Sequence, residues 1–365
     1  VPVTEALATH LDLCLQCRAC ETACPSGVRF GRIMEAGRAL VLRRRAPPSW
    51  RVRAFLLRHT VARPERLRFF FGMLRMYQRS GLQWLVRRSG LLRLLPRSLA
   101  MAEESLPRLP ARPFMPDASS SAGSRTVALL TGCVMPHLYP RAHEATVRVL
   151  RRLGFGVVAP REDLCCGALS LHAGDVATAM ACARRVIDAF DPLAPEAVLV
   201  NAAGCGATMK EYGELLADDP AYEQRARAFA ASVRDAAEFV AACDLPPPRP
   251  LNLAVTYQDS CHLAHAQGVR DAPRKLLRTI PGLELREMET PGRCCGSAGV
   301  YSIAQPAMSL RLLDEKMRDV RRTGAQMIVT ANPGCMMQLE LGARRAGIPA
   351  RVVHVMELLD EALPD

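Results

Sequence analysis

The sequence predicts an α/β fold in which an α-helical N-terminal part precedes a duplicated cysteine-rich α/β domain with parallel sheets. Three observations predict it: a run of four closely spaced cysteines near the N-terminus, two matched sets of four cysteines that follow short apolar segments, and a hydrophobic content of 49% in 365 residues, enough for a large core. We divide the chain into residues 1–42, 43–125, 126–246 and 247–365.

Residues 1–42 contain the run Cys14-x-x-Cys17-x-x-Cys20-x-x-x-Cys24-Pro25. Bacterial ferredoxins have this spacing: three thiolates hold one cubane cluster and the fourth holds a second cluster. We therefore predict a partial helical ferredoxin-type [4Fe-4S] domain with Cys14, Cys17, Cys20 and Cys24 as ligands, zinc or free thiols being the alternative. The crossed arrangement needs a second motif, so we expect that an upstream segment carrying it is missing before Val1.

Residues 43–125 form a basic helical segment and a linker. Between Arg43 and Arg112 there are 17 arginines, no lysine and three glutamates. The net charge of this segment is therefore +14, which exceeds the +12 of the whole chain. Apolar residues recur among these arginines at helical spacing, a pattern typical of amphipathic helices that dock on an anionic membrane or a partner; a solvated helical linker is the alternative. No groove-reading or stacking motif accompanies the charge, so we expect no nucleic acid partner. The proline- and serine-rich stretch 108–125 predicts a flexible linker and a boundary near residue 125.

Residues 126–246 and 247–365 are two copies of one unit, which we call the first and second lobes. The first quartet consists of Cys133, Cys165, Cys166 and Cys205, and the second of Cys261, Cys294, Cys295 and Cys335. Their spacings nearly coincide, and each quartet follows apolar β-branched segments such as 127–130, 197–200, 253–255 and 327–330. Because the carboxyl ends of parallel strands meet at one sheet edge, we expect each quartet to gather there.

Four thiols drawn from separate loops suit an iron–sulfur cluster or a tetrahedral zinc ion, and redox-active or merely buried thiols are the third alternative. We therefore assign the eight quartet cysteines as metal ligands, for a further [4Fe-4S] cluster or zinc. Cys182 and Cys243 fall outside the repeat and are interpreted as core or surface residues. His262 and His265 are interpreted as polar neighbours and His354 as structural, rather than as ligands.

No glycine-rich dinucleotide motif, P-loop or nucleophile elbow occurs in the sequence, so we assign no catalytic residue and no organic cofactor to this chain. Iron–sulfur clusters pass single electrons, which implies a partner that performs the two-electron chemistry.

The chain resembles the iron–sulfur subunits related to heterodisulfide reductase, and specifically the iron–sulfur (F) subunit family of bacterial glycolate oxidase. The resemblance covers nearly the whole chain and rests on residues 20–29, on 204–207 with Lys210-Glu211-Tyr212-Gly213, on 294–299 with Tyr301, and on 327–332 before Cys335. It departs where related Cys-Cys-Gly domains end in Cys-x-x-Cys, since Thr208 and Gln338 stand there instead, which speaks against a noncubane disulfide-reducing cluster.

This resemblance implies an electron-transfer subunit of a glycolate dehydrogenase, an oxidoreductase complex whose FAD-containing subunits oxidise glycolate to glyoxylate. It implies that electrons leave through this subunit to a membrane acceptor such as quinone, and that the protein is cytoplasmic and peripherally associated with the inner face of the cell membrane. The alternatives are a heterodisulfide reductase-like subunit, a lactate or glycerol-3-phosphate dehydrogenase iron–sulfur subunit, and a metal-stabilised interaction protein.

Overall fold

The computed structural model describes residues 3–116 and 125–364 and contains two four-stranded sheets, all of whose strands are parallel. The strand orders are β2-β1-β3-β4 and β6-β5-β7-β8, so the two lobes have one topology. The strands are β1 (Arg125–Leu130), β2 (Phe155–Val158), β3 (Val198–Val200), β4 (Val233–Asp235), β5 (Leu253–Tyr257), β6 (Leu283–Leu285), β7 (Met327–Thr330) and β8 (Arg351–His354). The duplicated α/β fold with parallel sheets is thereby confirmed.

The helices before the lobes are α1 (Glu5–Leu13), α2 (Ala19–Ala23), α3 (Phe30–Arg45), α4 (Pro48–His59), α5 (Pro64–Arg79), α6 (Leu82–Arg88) and α7 (Arg97–Glu104). Those of the first lobe are α8 (Met135–Leu138), α9 (Pro140–Arg152), α10 (Ala168–His172), α11 (Val176–Phe190), α12 (Ala203–Met209), α13 (Tyr212–Leu215), α14 (Glu223–Ser232) and α15 (Ala236–Ala241). Those of the second lobe are α16 (Asp271–Thr279), α17 (Tyr301–Ala304), α18 (Pro306–Thr323), α19 (Pro333–Ala346) and α20 (Val355–Ala362). Short 3₁₀ turns occur at Leu91–Leu94 and Asp191–Leu193, and a π-helical turn at His262–Ala266.

The two sheets face a common core. Strand residues alternate between two faces, so Val127 and Leu129 of β1 point into the same buried cluster as Met327 and Val329 of β7. The intervening residues pack outward instead, Ala128 against the helices outside the first sheet and Ile328 against those outside the second. The central strands β3 and β7 are thus buried on both faces, as is typical of parallel sheets.

Helices cross between the lobes in a symmetrical way. The last helix of the second lobe, α20, packs on the first long helix of the first lobe, α9. The last helix of the first lobe, α15, packs on the first long helix of the second lobe, α16. Arg148 and Arg152 of α9 also pair with Asp360 of α20. The lobes therefore stabilise each other through one shared core.

The basic segment folds as helices that lie against both lobes. Phe71 of α5 is buried with Tyr139 of the first lobe and Met336 of the second, and Met101 of α7 enters the outer core of the second lobe. Residues 117–124, which fall within the expected serine-rich linker, lie outside the described residues. Within the described ranges, no helix is both long and apolar enough to cross a bilayer.

Candidate metal centre

The two quartets open onto one cavity of about 450 Å³ between the lobes. Four quartet cysteines lie three to five residues after strand ends: Cys133 after β1, Cys205 after β3, Cys261 after β5 and Cys335 after β7. All eight quartet thiols line the cavity, together with Cys14 of the N-terminal run. The carboxyl edges of both sheets thus deliver sulfur atoms to a single space.

Within the first quartet the side chains touch in sequence order. The Cys133 thiol contacts Cys165, Cys165 contacts Cys166, and Cys166 contacts Cys205. The contact with Cys165, reinforced by burial, raises the pKa of the Cys133 thiol well above its ordinary value. The backbone N–H of Gly167 donates to Cys165 Sγ at 3.4 Å, which places a dipole on this sulfur.

The second quartet repeats this order. Cys261 Sγ lies 3.9 Å from Cys294 Sγ, Cys294 contacts Cys295, and Cys295 contacts Cys335. Here the contacts with Cys261 and Cys295 hold the pKa of the Cys294 thiol well below its ordinary value. The N–H of Gly296 donates to Cys294 Sγ at 3.4 Å, matching the bond of Gly167, and Asn332 Nδ2 donates to Cys335 Sγ at 3.6 Å.

The N-terminal cysteine run begins in a tight loop between α1 and α2, and Cys20 lies within α2. Gln16 and Arg18 have positive φ values of 52° and 60°, so the backbone turns on both sides of Cys17. Such strained conformations of non-glycine residues occur at ligand clamps. At the other end of the run, the N–H groups of Val28, Ser26 and Gly27 lower the pKa of the half-buried Cys24 thiol.

This loop lies next to the second quartet. Burial raises the pKa of the Cys17 thiol, and Cys294 is among the neighbouring thiols that raise it further. His262 Nε2 donates to the carbonyl of Gln16 at 2.8 Å, and His265 Nδ1 lies 2.9 Å from Thr22 Oγ1. The two histidines therefore act as polar neighbours of the cysteines, as the sequence suggested.

The loop is also tied to the first lobe. Arg18 donates to both carboxylate oxygens of Glu211, at 2.6 and 2.8 Å, and the adjacent Tyr212 donates from its hydroxyl to the carbonyl of Cys166 at 2.8 Å. Lys210 pairs with Glu238 at 2.9 Å and does not approach the thiols as a free charge. The Lys210–Gly213 motif thus joins the N-terminal run to the first quartet.

The donor set fits a sulfur-ligated metal group. Each quartet is all-thiol, mostly buried, and supplied with N–H donors to sulfur, and soft thiolates select iron–sulfur clusters or zinc. Among the residues described, no three His, Cys, Asp or Glu side chains surround a point where a single metal ion would sit. The assignment of the twelve cysteines as ligands, and of the metal in each lobe, stays a prediction.

Sequence reasoning missed the place of Cys182. It is buried, as expected of a core residue, but its side chain contacts Cys165 of the first quartet. The helical spacing of α11, which puts Cys182 on the same face as buried Ala179 and Val186, was the available signal. His354 is structural as predicted: its Nδ1 accepts the N–H of Met356 and caps α20.

Comparison with known proteins agrees with this arrangement. A cysteine-rich domain model named CCG matches residues 127–210 and 255–340, the two lobes. A second model, the linker region of the glycolate oxidase iron–sulfur subunit, matches residues 50–106, which include the packed basic helices.

Two similar proteins match nearly the whole chain, and a third matches about two thirds of it. The "Probable glycolate oxidase iron-sulfur subunit" of Bacillus subtilis is 40% identical over 98% of this chain and 83% of its own length, and the "Glycolate oxidase iron-sulfur subunit" of Escherichia coli is 35% identical over 99% and 84%. "Lactate utilization protein A" of an Exiguobacterium species is 30% identical over 65% of this chain and 98% of its own length. With both lobes and the basic segment before them matched, the chain belongs to the family of glycolate oxidase iron–sulfur subunits.

Proposed function

We propose that this protein is the iron–sulfur electron-transfer subunit of a glycolate-oxidising complex. A partner flavoprotein would oxidise glycolate to glyoxylate, and electrons would pass through this chain to a membrane acceptor such as quinone. The observation that carries the proposal is the convergence of both quartets and Cys14 on one cavity. Electron transfer between clusters requires that the clusters lie close together. The N-terminal run, the first lobe and the second lobe all contribute cysteines to this cavity.

The residues of the chain hold and shield the centres in this proposal. Cys14, Cys17 and Cys20 would hold one [4Fe-4S] cluster, Cys24 would contribute to a second, and the two quartets would hold further clusters. A bound cluster supplies one-electron transfer. The N–H groups of Gly167 and Gly296 hydrogen-bond to ligand sulfur, which favours the reduced, more negative state. Arg18 and His262 hold the N-terminal run against the cavity.

The proposal is tested with the complex purified anaerobically together with its flavoprotein partner. Addition of glycolate should bleach the iron–sulfur absorbance and produce the EPR signals of reduced clusters, while D-lactate should do so more slowly. Faster reduction of the clusters by D-lactate would indicate that the chain belongs to a lactate-oxidising complex instead. Zinc in place of iron and acid-labile sulfide, or disulfide reduction by the isolated chain, would contradict electron relay.

We further propose that the basic helices place the complex on an anionic membrane. Phe69, Met73 and Met76 lie on one face of α5, and Phe69 and Met76 are 67% and 66% exposed. Trp84 of α6 is 62% exposed beneath the guanidinium of Arg88, 5.1 Å from its ring. Exposed aromatic and aliphatic side chains among arginines suit the headgroup region of an anionic bilayer. We also propose that the protein is cytoplasmic and that its domains are residues 1–42, 43–125, 126–246 and 247–365.

A further inference from the structure

The two lobes share one topology but differ in the number of thiols at their metal centres. Cys182 on α11 is 6% exposed, and its side chain lies within hydrogen-bonding reach of Cys165. Cys133, Cys165 and Cys182 form one contiguous cluster, closed by Val61 and Ala62 of the basic segment. The first lobe therefore gathers five thiols where the second gathers four.

The packing of the Cys-Cys-Gly loops fixes which residue of the second lobe corresponds to Cys182. Gly167, with φ +81°, lies so close to α11 that a Cβ there would come within 3.0 Å of the carbonyl of Ala179 and 3.2 Å of Cys182 Cβ. Gly296, with φ +89°, lies on α18 in the same way, with a Cβ meeting the carbonyl of Ser309. Ala179 thus corresponds to Ser309.

Counting three residues along each helix from this contact reaches Cys182 in the first lobe and Leu312 in the second. Leucine cannot bind a metal, whereas a cysteine thiolate is a soft donor suited to iron–sulfur groups. The close contact of Gly167 with α11 brings Cys182 directly beneath the Cys165-Cys166 pair, and the covering residues Val61 and Ala62 are apolar.

We propose that Cys182 supplies a fifth sulfur ligand to the centre in the first lobe and that the two lobes hold different centres. This inference rests on the proposed function, since it requires an iron–sulfur group at the first quartet. A fifth thiolate adds negative charge to the centre, and added negative charge lowers the reduction potential of an iron–sulfur centre. The first-lobe centre is then the more reducing of the two.

The test compares anaerobically purified full-length wild type with Cys182→Ala, Cys182→Ser and the matched control Cys243→Ala. Cys243 also lies outside the repeat, but its thiol donates to the carbonyl of Phe239, away from both quartets. Chemical analysis gives the content of iron and acid-labile sulfide. A redox titration followed by EPR gives the spectra and the midpoint potentials. We expect both Cys182 variants to lose iron or to change one EPR signal and shift its midpoint upward, with Cys243→Ala unchanged.

Wild-type iron, sulfide, spectra and potentials in folded Cys182→Ala would overturn the inference and leave the proposed function intact. Absence of iron and sulfide from the wild type itself would overturn both. Leu312→Cys tests the same idea without removing a buried side chain: we expect it to shift the midpoint of a second centre downward. An unchanged potential in that variant would contradict the role of this helix position.

Discussion

Two buried histidines link the lobes in a way that only their neutral forms allow. His143 Nε2 donates to the carbonyl of Thr131 at 2.9 Å, and its Nδ1 accepts Asn201 Nδ2 at 3.1 Å. His354 Nε2 donates to the carbonyl of Asn201 at 3.0 Å, and its Nδ1 accepts the N–H of Met356 at 3.2 Å. Protonation would turn either Nδ1 from an acceptor into a donor. It would then face the N–H group of its partner and the hydrogen bond would be lost.

This arrangement predicts that stability falls in mild acid. Burial lowers the pKa of His143 to about 3 and that of His354 to about 4, against about 6.5 in an unfolded chain. The unfolded state therefore binds protons first, so the stabilisation is complete above about pH 6.5 and is lost as the pH falls toward 4. Between pH 7 and 5 we expect about 2 kcal/mol of loss per histidine, measured by urea unfolding.

His354→Gln is the matched variant, because an amide keeps a donor and an acceptor but does not titrate in this range. Its unfolding free energy should change less between pH 7 and 5 than that of the wild type. Equal slopes for the two proteins would contradict this explanation.

The buried pair between Arg18 and Glu211 carries a second prediction at this scale. Burial alone would raise the pKa of Glu211, but the Arg18 guanidinium outweighs it and holds that pKa below its ordinary value. Arg18→Met leaves the carboxylate without its bidentate partner and should cost about 3 kcal/mol of unfolding free energy. The contribution of the pair is present above about pH 4 and is lost as the pH falls through the lowered pKa of Glu211.

The matched control for this pair is exposed Arg227, which bonds Glu223 one helical turn away. Arg227→Met should change the unfolding free energy by less than about 1 kcal/mol in the same urea titration. Similar losses of unfolding free energy in both variants would show that the buried Arg18–Glu211 pair stabilises the protein no more than an exposed pair does.

At the scale of elements, the helices of the basic segment have apolar residues on two sides. On α5, Leu67, Phe71 and Leu74 contact the lobes, while Phe69 and Met73 face outward. Membrane attachment then predicts that Phe69→Ser/Met73→Ser releases the protein from vesicles containing anionic lipid, measured by co-sedimentation. Arg79→Gln/Arg88→Gln should weaken binding most at low salt, because high salt already screens the attraction of these arginines to anionic lipid.

A matched control for these variants is Leu99→Ser, which removes another exposed apolar residue, on α7. Vesicle binding by Phe69→Ser/Met73→Ser equal to that of wild type would reject the membrane proposal. In that case the same outward face would be assigned to a protein partner.

The sequence predicted the strands that carry the quartets because apolar β-branched runs end at cysteines. Residues 327–330 coincide with β7, and the run 127–130 lies inside β1. Strands β4, β6 and β8 were missed. Val233-Arg234-Asp235 and Leu283-Glu284-Leu285 are short and mixed, and Arg351 to His354 has polar ends. Helix α9 begins at Pro140, where proline suits a first turn.

For the candidate site, spacing in the sequence found all eight quartet cysteines but could not place Cys182 or the Arg18–Glu211 pair. Both depend on contacts between distant parts of the chain, which have no local signature. The same holds for the approach of Cys17 to Cys294, which follows from docking of the N-terminal domain on the second lobe.

At the scale of the whole molecule, the shared core predicts that the lobes lose structure together. Leu359 of α20 is 1% exposed and belongs to the core common to both sheets. Leu359→Ala should cost about 2–5 kcal/mol. Hydrogen exchange should then accelerate in β1 as well as in β7, followed by mass spectrometry of peptides from each.

Leu339→Ala is the control, because Leu339 is equally buried but lies in the outer core of the second lobe. Its faster exchange should be confined to that lobe. If Leu359→Ala loosened only the second lobe, the common core would not couple the two.

The exchange of helices between the lobes also has an evolutionary consequence. The first long helix of each lobe packs on the last helix of the other, so equivalent helices meet on both sides of the contact. A single-lobe ancestor could have made this contact with a second copy of itself, as a symmetric homodimer. Fusion of two such genes would keep the interface and free each half to change separately, which is how one half could gain a cysteine where the other kept leucine.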